Sequence, residues 1–261
     1  MEIDWTQIPY FASLSPDAIA RIRQKAHQHE YQAGAMIFYE GEACAGFHIV
    51  AKGLVRIYRV SAEGRMHTLS LLRPVSTFNE VSAVDGGKNP YNATAVTQTT
   101  VLTLSHNCLM KLLATEPDLL SNYVQSLAHV NREYIERLED MTFRSIPSRL
   151  AKLFLHETTY AEQISEAPTR LTQEEIASIL GTTREVVGRA LRGLLNAGLL
   201  RKEGRKVYIA DRMGLEILAA TNTIPEKDDS DVDNQPISAS LDSYEMENNK
   251  QLEPESRSDS S

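Results

Sequence analysis

Three charged residues stand at a spacing that can read bases. Arg184, Glu185 and Arg189 fall in a stretch where Val186, Val187, Ala190 and Leu191 recur at helical intervals. A helix there carries the charged side chains on its first turns, opposite the apolar positions. In a major groove, arginine can bond guanine O6 and N7 bidentately, and glutamate can accept from cytosine N4. A carboxylate repels phosphate, so Glu185 favours base reading over plain adhesion. The bland alternative is a solvated Glu185–Arg189 pair one turn apart. The neighbouring residues decide between them.

The elements that must position this triplet are legible on both sides. Thr172 and Glu175 form a capping box that starts a first helix, and Ala177 is small where two helices cross. Gly181 supplies the positive φ of the turn, and Thr183 caps the second helix, in which Leu194 also faces inward. Asn196-Ala197-Gly198 ends it. Leu199–Lys202, Glu203-Gly204 and Arg205–Ile209 then make a hairpin with four bases, suited to touching phosphates. The arrangement is a winged helix-turn-helix. Thr172, Thr182, Thr183, Arg205 and Lys206 join Arg184, Glu185 and Arg189 as candidate contacts to double-stranded DNA.

The overall charge argues the other way until it is divided. The 261 residues hold 27 Lys+Arg and 35 Asp+Glu, a formal charge of −8. Residues 221–261 alone hold 11 acids and three bases, which accounts for all of it. The remaining body is neutral, and Arg144–Ala220 is positive by three. The tail is rich in Ser, Asp, Asn, Glu and Pro without any period, and reads as disordered. A solubilising role is the plain reading, and competition with phosphate is the alternative.

Upstream, Ser15-Pro16-Asp17 starts a helix with the stripe Ala18, Ile19, Ile22 and Ala26. From Gln32 to about Ser105 short β-like runs alternate with glycine turns. They are Met36–Tyr39, Phe47–Val50, Leu54–Val60, Met66–Leu72, Tyr91–Val96 and Thr100–Leu104. Such spacing argues a closed sandwich or roll. Helical period returns at Asn107–Ala114 and strongly at Pro117–Phe143. There Leu120, Leu127, Tyr134 and Met141 repeat every seven residues, with Tyr123 and Val130 as a second seam. A helix of about 25 residues is roughly 38 Å long and outruns a small roll, so self-association into a homodimer is expected. Ser145-Ile146-Pro147 caps a further helix to about His156, and Thr158–Thr169 reads as a polar linker.

With these parts in place, residues 5–218 resemble the Crp/Fnr family of transcription regulators. The resemblance implies an α+β chain with three parts: a cyclic-nucleotide-binding-type β-roll, or jelly roll (1–116), a dimerisation helix (117–144) and a winged helix-turn-helix (145–220). The acidic tail (221–261) lies outside it. Gly181-x-x-Arg184-Glu185-x-x-x-Arg189 matches the reading triplet of the cyclic-AMP receptor type. It implies TGTGA-like half-sites in an inverted repeat, one helical turn (about 34 Å) apart. It also implies an RNA polymerase contact, for which Thr158–Thr169 is the corresponding position.

For the sensor, the resemblance implies an effector pocket at Asn79-Glu80-Val81, Tyr91-Asn92 and Tyr134, which neighbours Ile135. Glu80 stands where the family binds a ribose hydroxyl. Tyr91 replaces the arginine that holds the cyclic phosphate, and an anion buried without a cation is costly. Cyclic AMP is therefore not assigned, and no cofactor is. No cysteine precedes Cys44, so an N-terminal Fe–S cluster is not expected. Haem at His27, His29, His48 or His67, and thiol sensing at Cys44 or Cys108, have no support beyond residue type.

Two other readings compete: a cupin-type metal or haem sensor or enzyme, using His27-Gln28-His29-Glu30 at a helix end, and a nucleotide-binding scaffold. No G-x-S-x-G, H-E-x-x-H or Walker A string occurs, so no catalytic residue and no metal ligand is assigned. No membrane-spanning run and no signal-peptide core are present, so a cytoplasmic, non-enzymatic regulator is expected.

Overall fold

The computed structural model describes residues 3–164, 171–204 and 206–224. Two short 3-10 turns, Trp5–Gln7 and Pro9–Phe11, lead into helix α1 (Pro16–Lys25). The Ser15 hydroxyl accepts from the Ala18 N–H at 3.2 Å, and Pro16 takes the first turn, where no partner for its nitrogen is missed. Ala18 and Ile22 are buried as expected, whereas Ala26 ends the helix instead of extending its stripe.

The strands that follow are β1 (His27–Tyr31), β2 (Met36–Phe38), β3 (Phe47–Lys52), β4 (Val55–Val60), β5 (Met66–Leu72), β6 (Thr77–Phe78), β7 (Asn92–Ala95) and β8 (Thr99–Leu104). A short helix α2 (Glu80–Asp85) lies between β6 and β7. They form two antiparallel sheets, ordered β1-β8-β3-β6 and β2-β7-β4-β5. Between the sheets pack Phe38, Val50, Val55, Ile57, Phe78, Tyr91 and Val101. Strand β3 is buried on both faces, since Phe47 and Ile49 turn outward into a second core with Tyr10, Phe11, Ile22, Leu109, Leu119 and Tyr123. This is the expected roll.

One expectation fails here: His27-Gln28-His29-Glu30 is not a helix end but strand β1. Its residues are mostly exposed and it pairs only with β8, so it is an edge strand without apolar alternation to reveal it.

Beyond the roll come α3 (His106–Thr115) and α4 (Pro117–Phe143). The 27 residues of α4 span about 40 Å. Leu119 and Tyr123 are buried against the roll, with Leu127 packed beside them. Tyr123, expected in a second seam between copies, thus belongs to the chain's own core, and its hydroxyl donates to the Glu80 carbonyl at 2.8 Å. Leu120, Val124, Ile135 and Leu138 share another face and are 47%, 59%, 49% and 64% exposed. That face has no partner within the described residues.

Helix α5 (Ile146–Ile164) continues past His156, so the first part of the expected linker is helical; residues 165–170 lie outside the described residues. Next come α6 (Gln173–Leu180), α7 (Arg184–Asn196), β9 (Leu200–Glu203), β10 (Lys206–Ile209) and α8 (Arg212–Thr221). Leu150, Ile176, Leu180, Val187, Leu191, Leu194, Leu215 and Leu218 are buried in one core. Helix α8, beyond the elements expected from the sequence, starts at N-cap Asp211, which accepts from Gly214 N–H at 2.8 Å. No helix among the described residues is long and apolar enough to cross a membrane. The tail beyond residue 224 lies outside the described residues.

Candidate nucleic-acid interface

Helix α6 opens with the complete capping box. The Thr172 hydroxyl accepts from Glu175 N–H at 3.2 Å, and the Glu175 carboxylate accepts from Thr172 N–H at 2.8 Å. Gly181 ends α6 at φ 61°, the left-handed region that disfavours other residues, and its N–H bonds the Ala177 carbonyl. Thr182 N–H also reaches the Ala177 carbonyl, at 3.0 Å, so the turn is tight. Helix α7 then starts at Arg184.

Thr183 holds the N-cap position of α7, but its side chain makes no cap bond. The nearby backbone N–H of Glu185 and the Thr183 hydroxyl hold the Glu185 pKa below the usual range. Val187, Gly188, Ala190, Leu191 and Leu194 form the buried face of α7, and Val186 is half-buried at its edge. Arg184, Glu185 and Arg189 are exposed on the opposite side, as are Thr172 and Thr183. The expected alternation of a packed inner face and a charged outer one is present.

The strands β9 and β10 pair as the expected hairpin, with Lys206 opposite Glu203, and the Arg201 guanidinium lies 4.6 Å from the Tyr208 ring centroid. Arg205 and the Lys206 side chain lie outside the described residues.

The sequence carried no signal for a contact between α6 and the roll. Strand β5 is the free edge of its sheet, and Ser178 of α6 pairs with its backbone as a neighbouring strand would. Its hydroxyl accepts from Thr68 N–H at 3.1 Å and donates to the Met66 carbonyl at 3.1 Å. Arg56 of β4 bonds Glu175 at 2.9 Å, and Arg73 bonds Glu157 of α5 at 2.5 Å, both sides of the latter pair being nearly buried. The partners are about a hundred residues apart, beyond any local pattern.

Of the expected effector-pocket residues, Asn79, Glu80 and Tyr91 come together. Asn79 adopts φ 65° before α2 and donates its N–H to the Tyr91 hydroxyl at 2.6 Å. The Tyr91 ring is 7% exposed and lies 6.0 Å from that of Phe38, so the phenol fills this region. Burial raises the Glu80 pKa, and a 2.7 Å bond from the Thr77 hydroxyl opposes the rise. Tyr134 of α4 is 44% exposed, and the nearby Glu80 charge adds to burial in raising its pKa. Two residues depart from the expectation. Val81 is 58% exposed, because α2 turns it outward. Asn92 instead ties β7 to its surroundings, accepting from Glu40 N–H at 3.1 Å and donating to the Tyr58 carbonyl at 3.4 Å.

Of the four histidines considered as ligands, His48 is buried. It stacks on Phe78 and Phe38, and its Nδ1 lies 2.8 Å from the Thr103 hydroxyl. Burial, helped by His29, pushes its pKa from 6.5 down to about 3. The folded state keeps His48 neutral where the unfolded chain protonates it, so its contribution to stability is lost as pH falls from 6.5 towards 3. Chemical denaturation across that range is expected to show a shallower pH dependence for His48→Phe than for wild type. Equal slopes would refute this. Among the described residues, no group of three or more His, Cys, Asp or Glu is placed to hold a metal.

Comparison with known proteins covers both halves of the chain. Residues 28–116 match the cyclic nucleotide-binding domain, and residues 148–218 the Crp-like helix-turn-helix domain. A CRP-like cAMP-activated global transcriptional regulator of Mycobacterium tuberculosis is 30% identical over 205 residues, covering 77% of this chain and 92% of the relative. The cyclic AMP receptor protein of Thermus thermophilus is 29% identical over 211 residues, covering 81% and 96%. The crystal structure of a CRP/FNR-family transcriptional regulator, also from Thermus thermophilus, is 26% identical, with a TM-score of 0.61 over 76% of this chain and all of that one.

Proposed function

Because the chain belongs to the CRP-like family of transcription regulators, we propose that it is a homodimer reading an inverted repeat of TGTGA-like half-sites through Arg184, Glu185 and Arg189. The observation that carries this reading is the two-sided α7, packed on Val187, Leu191 and Leu194 and charged on the face opposite. Thr172, Thr182 and Thr183 at the two helix starts, with Arg205 and Lys206 in the hairpin, serve the phosphates.

The proposed division is a sensor roll (1–116), a dimerisation helix (117–144), a DNA-binding unit (145–220) and an acidic tail (221–261). The exposed stripe Leu120, Val124, Ile135 and Leu138 is the dimer seam. Within α4, it lies on a different face from Leu119 and Tyr123, so one helix can serve the roll and a partner at once. RNA polymerase is the further partner proposed, and the protein acts in the cytoplasm without catalysing a reaction.

The M. tuberculosis and T. thermophilus relatives are both named for cyclic AMP, but the residues of this chain do not fit that ligand. Tyr91 replaces the arginine that would face the phosphodiester, and its phenol is already held by Asn79 N–H. A different effector is proposed.

Selection of bound duplexes from a random pool, with and without cyclic AMP, tests the reading. An inverted repeat enriched equally in both arms is expected, and no enriched repeat would refute it. Arg184→Ala is expected to cost about 1–3 kcal/mol and to relax preference at one base pair. A uniform loss across all sequences would instead make Arg184 a phosphate contact.

A further inference from the structure

A groove of about 680 Å³ runs between the N-terminal segment, the loop entering β6 and helix α4. Tyr10, Val75, Thr77, Ser126, His129 and Glu133 line it. Asn79, Tyr91 and Asn92 are not among its lining residues. Three observations single it out.

Val75 has φ 75°, a conformation that a β-branched residue rarely adopts outside functional or strained sites. The Tyr10 hydroxyl is buried beside Thr77 yet makes no hydrogen bond of normal geometry, the Thr77 hydroxyl being given to Glu80. Arg73, two residues before Val75, holds Glu157 of α5 across the junction with the DNA-binding unit. A ligand pressing on this turn would therefore act close to an interdomain ion pair.

The walls also limit the ligand. They offer hydroxyls, amides, the Glu133 carboxylate with His129 at 3.3 Å, and no Lys or Arg among the described lining residues. The Glu80 carboxyl stands behind Tyr10 and Thr77 and supplies no cation either. An anion finds little there, whereas hydroxyls and an amine find partners. At 100° per residue, Ser126, His129 and Glu133 face away from Leu120, Val124 and Leu138, so pairing along that stripe leaves the groove open.

We propose that this groove is an effector site for a small polyhydroxylated amine, read out through the Val75 turn and the Arg73–Glu157 bridge. The binding half is tested without DNA, so its failure is distinct from failure of the DNA-reading assignment on which the readout rests. The full-length protein is titrated with glucosamine, glucose and glucose 6-phosphate. Calorimetry is followed alongside emission of the chain's single tryptophan, Trp5, which packs on Phe11 in the same segment.

Binding is expected in the order glucosamine, glucose, glucose 6-phosphate. Ser126→Trp, which fills the groove from an α4 position, should weaken glucosamine about tenfold or more with an unchanged melting temperature. Glu157→Gln should bind glucosamine normally but lose its effect on DNA affinity. Absence of saturable binding, tighter binding of the phosphate, or equal binding to Ser126→Trp overturns the site. A DNA effect that persists in Glu157→Gln overturns the relay.

Discussion

Replacing Val124 and Leu138 together by Glu is expected to leave the chain folded, monomeric and unable to hold an inverted repeat. Both side chains are more than half exposed, so neither substitution opens a cavity. In a two-fold pair, however, each is buried twice, and burying a Val or Leu is worth about 1.5–3 kcal/mol. Carboxylates there remove that gain and set like charges against each other. Since each is only about 60% exposed before pairing, the loss from four burials is about 4–7 kcal/mol, roughly three to five orders of magnitude in the dimer constant. Sedimentation should show a single species of 29.2 kDa, against the dimer proposed for the wild type. Retardation on a two-half-site duplex should fall far more than on nonspecific DNA, because the second half-site is no longer an intramolecular partner. A double variant that stays dimeric at micromolar concentration would place the interface elsewhere.

Leu194→Ala carries the second large effect. Leu194 is fully buried where α7 meets the core of the C-terminal unit, with Leu150, Leu191 and Leu215 among the buried side chains of that core. Truncation leaves a cavity that the surrounding helices fill only in part, at a cost of about 2–5 kcal/mol. The unit is small, so a loss of that size is a large share of its stability. Circular dichroism should melt earlier in its helical signal than wild type. Trp5 emission, which reports the separate N-terminal core, should shift less. Specific DNA binding should decline in step with the helical signal. Coincident and unshifted melting by both probes would mean that α7 does not depend on this residue.

These two substitutions also mark how far the residue pattern reached. The inner face of α7, the capping box of α6 and the left-handed Gly181 were readable, because each depends on residues within four positions of one another. The length of α4 and an apolar repeat along it were readable for the same reason. Which face of α4 meets the roll was not: Tyr123 fits a seven-residue period as well as Leu120 does, yet it packs beside Tyr10 and Phe47. Strand β1 escaped because an exposed edge strand needs no alternation, and α8 lies beyond Ile209, where no further element is expected.

The candidate site divides along the same line. The sequence by itself determined a cap, a turn and a helix that present Arg184, Glu185 and Arg189 outward, since helical period and backbone φ preference are local. It also determined that Tyr91 stands where the resemblance calls for an arginine. Only the tertiary structure decided that Tyr91 closes over the Asn79 amide, that Ser178 completes the edge of β5, and that Arg73 reaches Glu157. Those contacts join residues 12, 110 and 84 positions apart. Their strength comes from burial and geometry that arise only once the sheets and helices have packed.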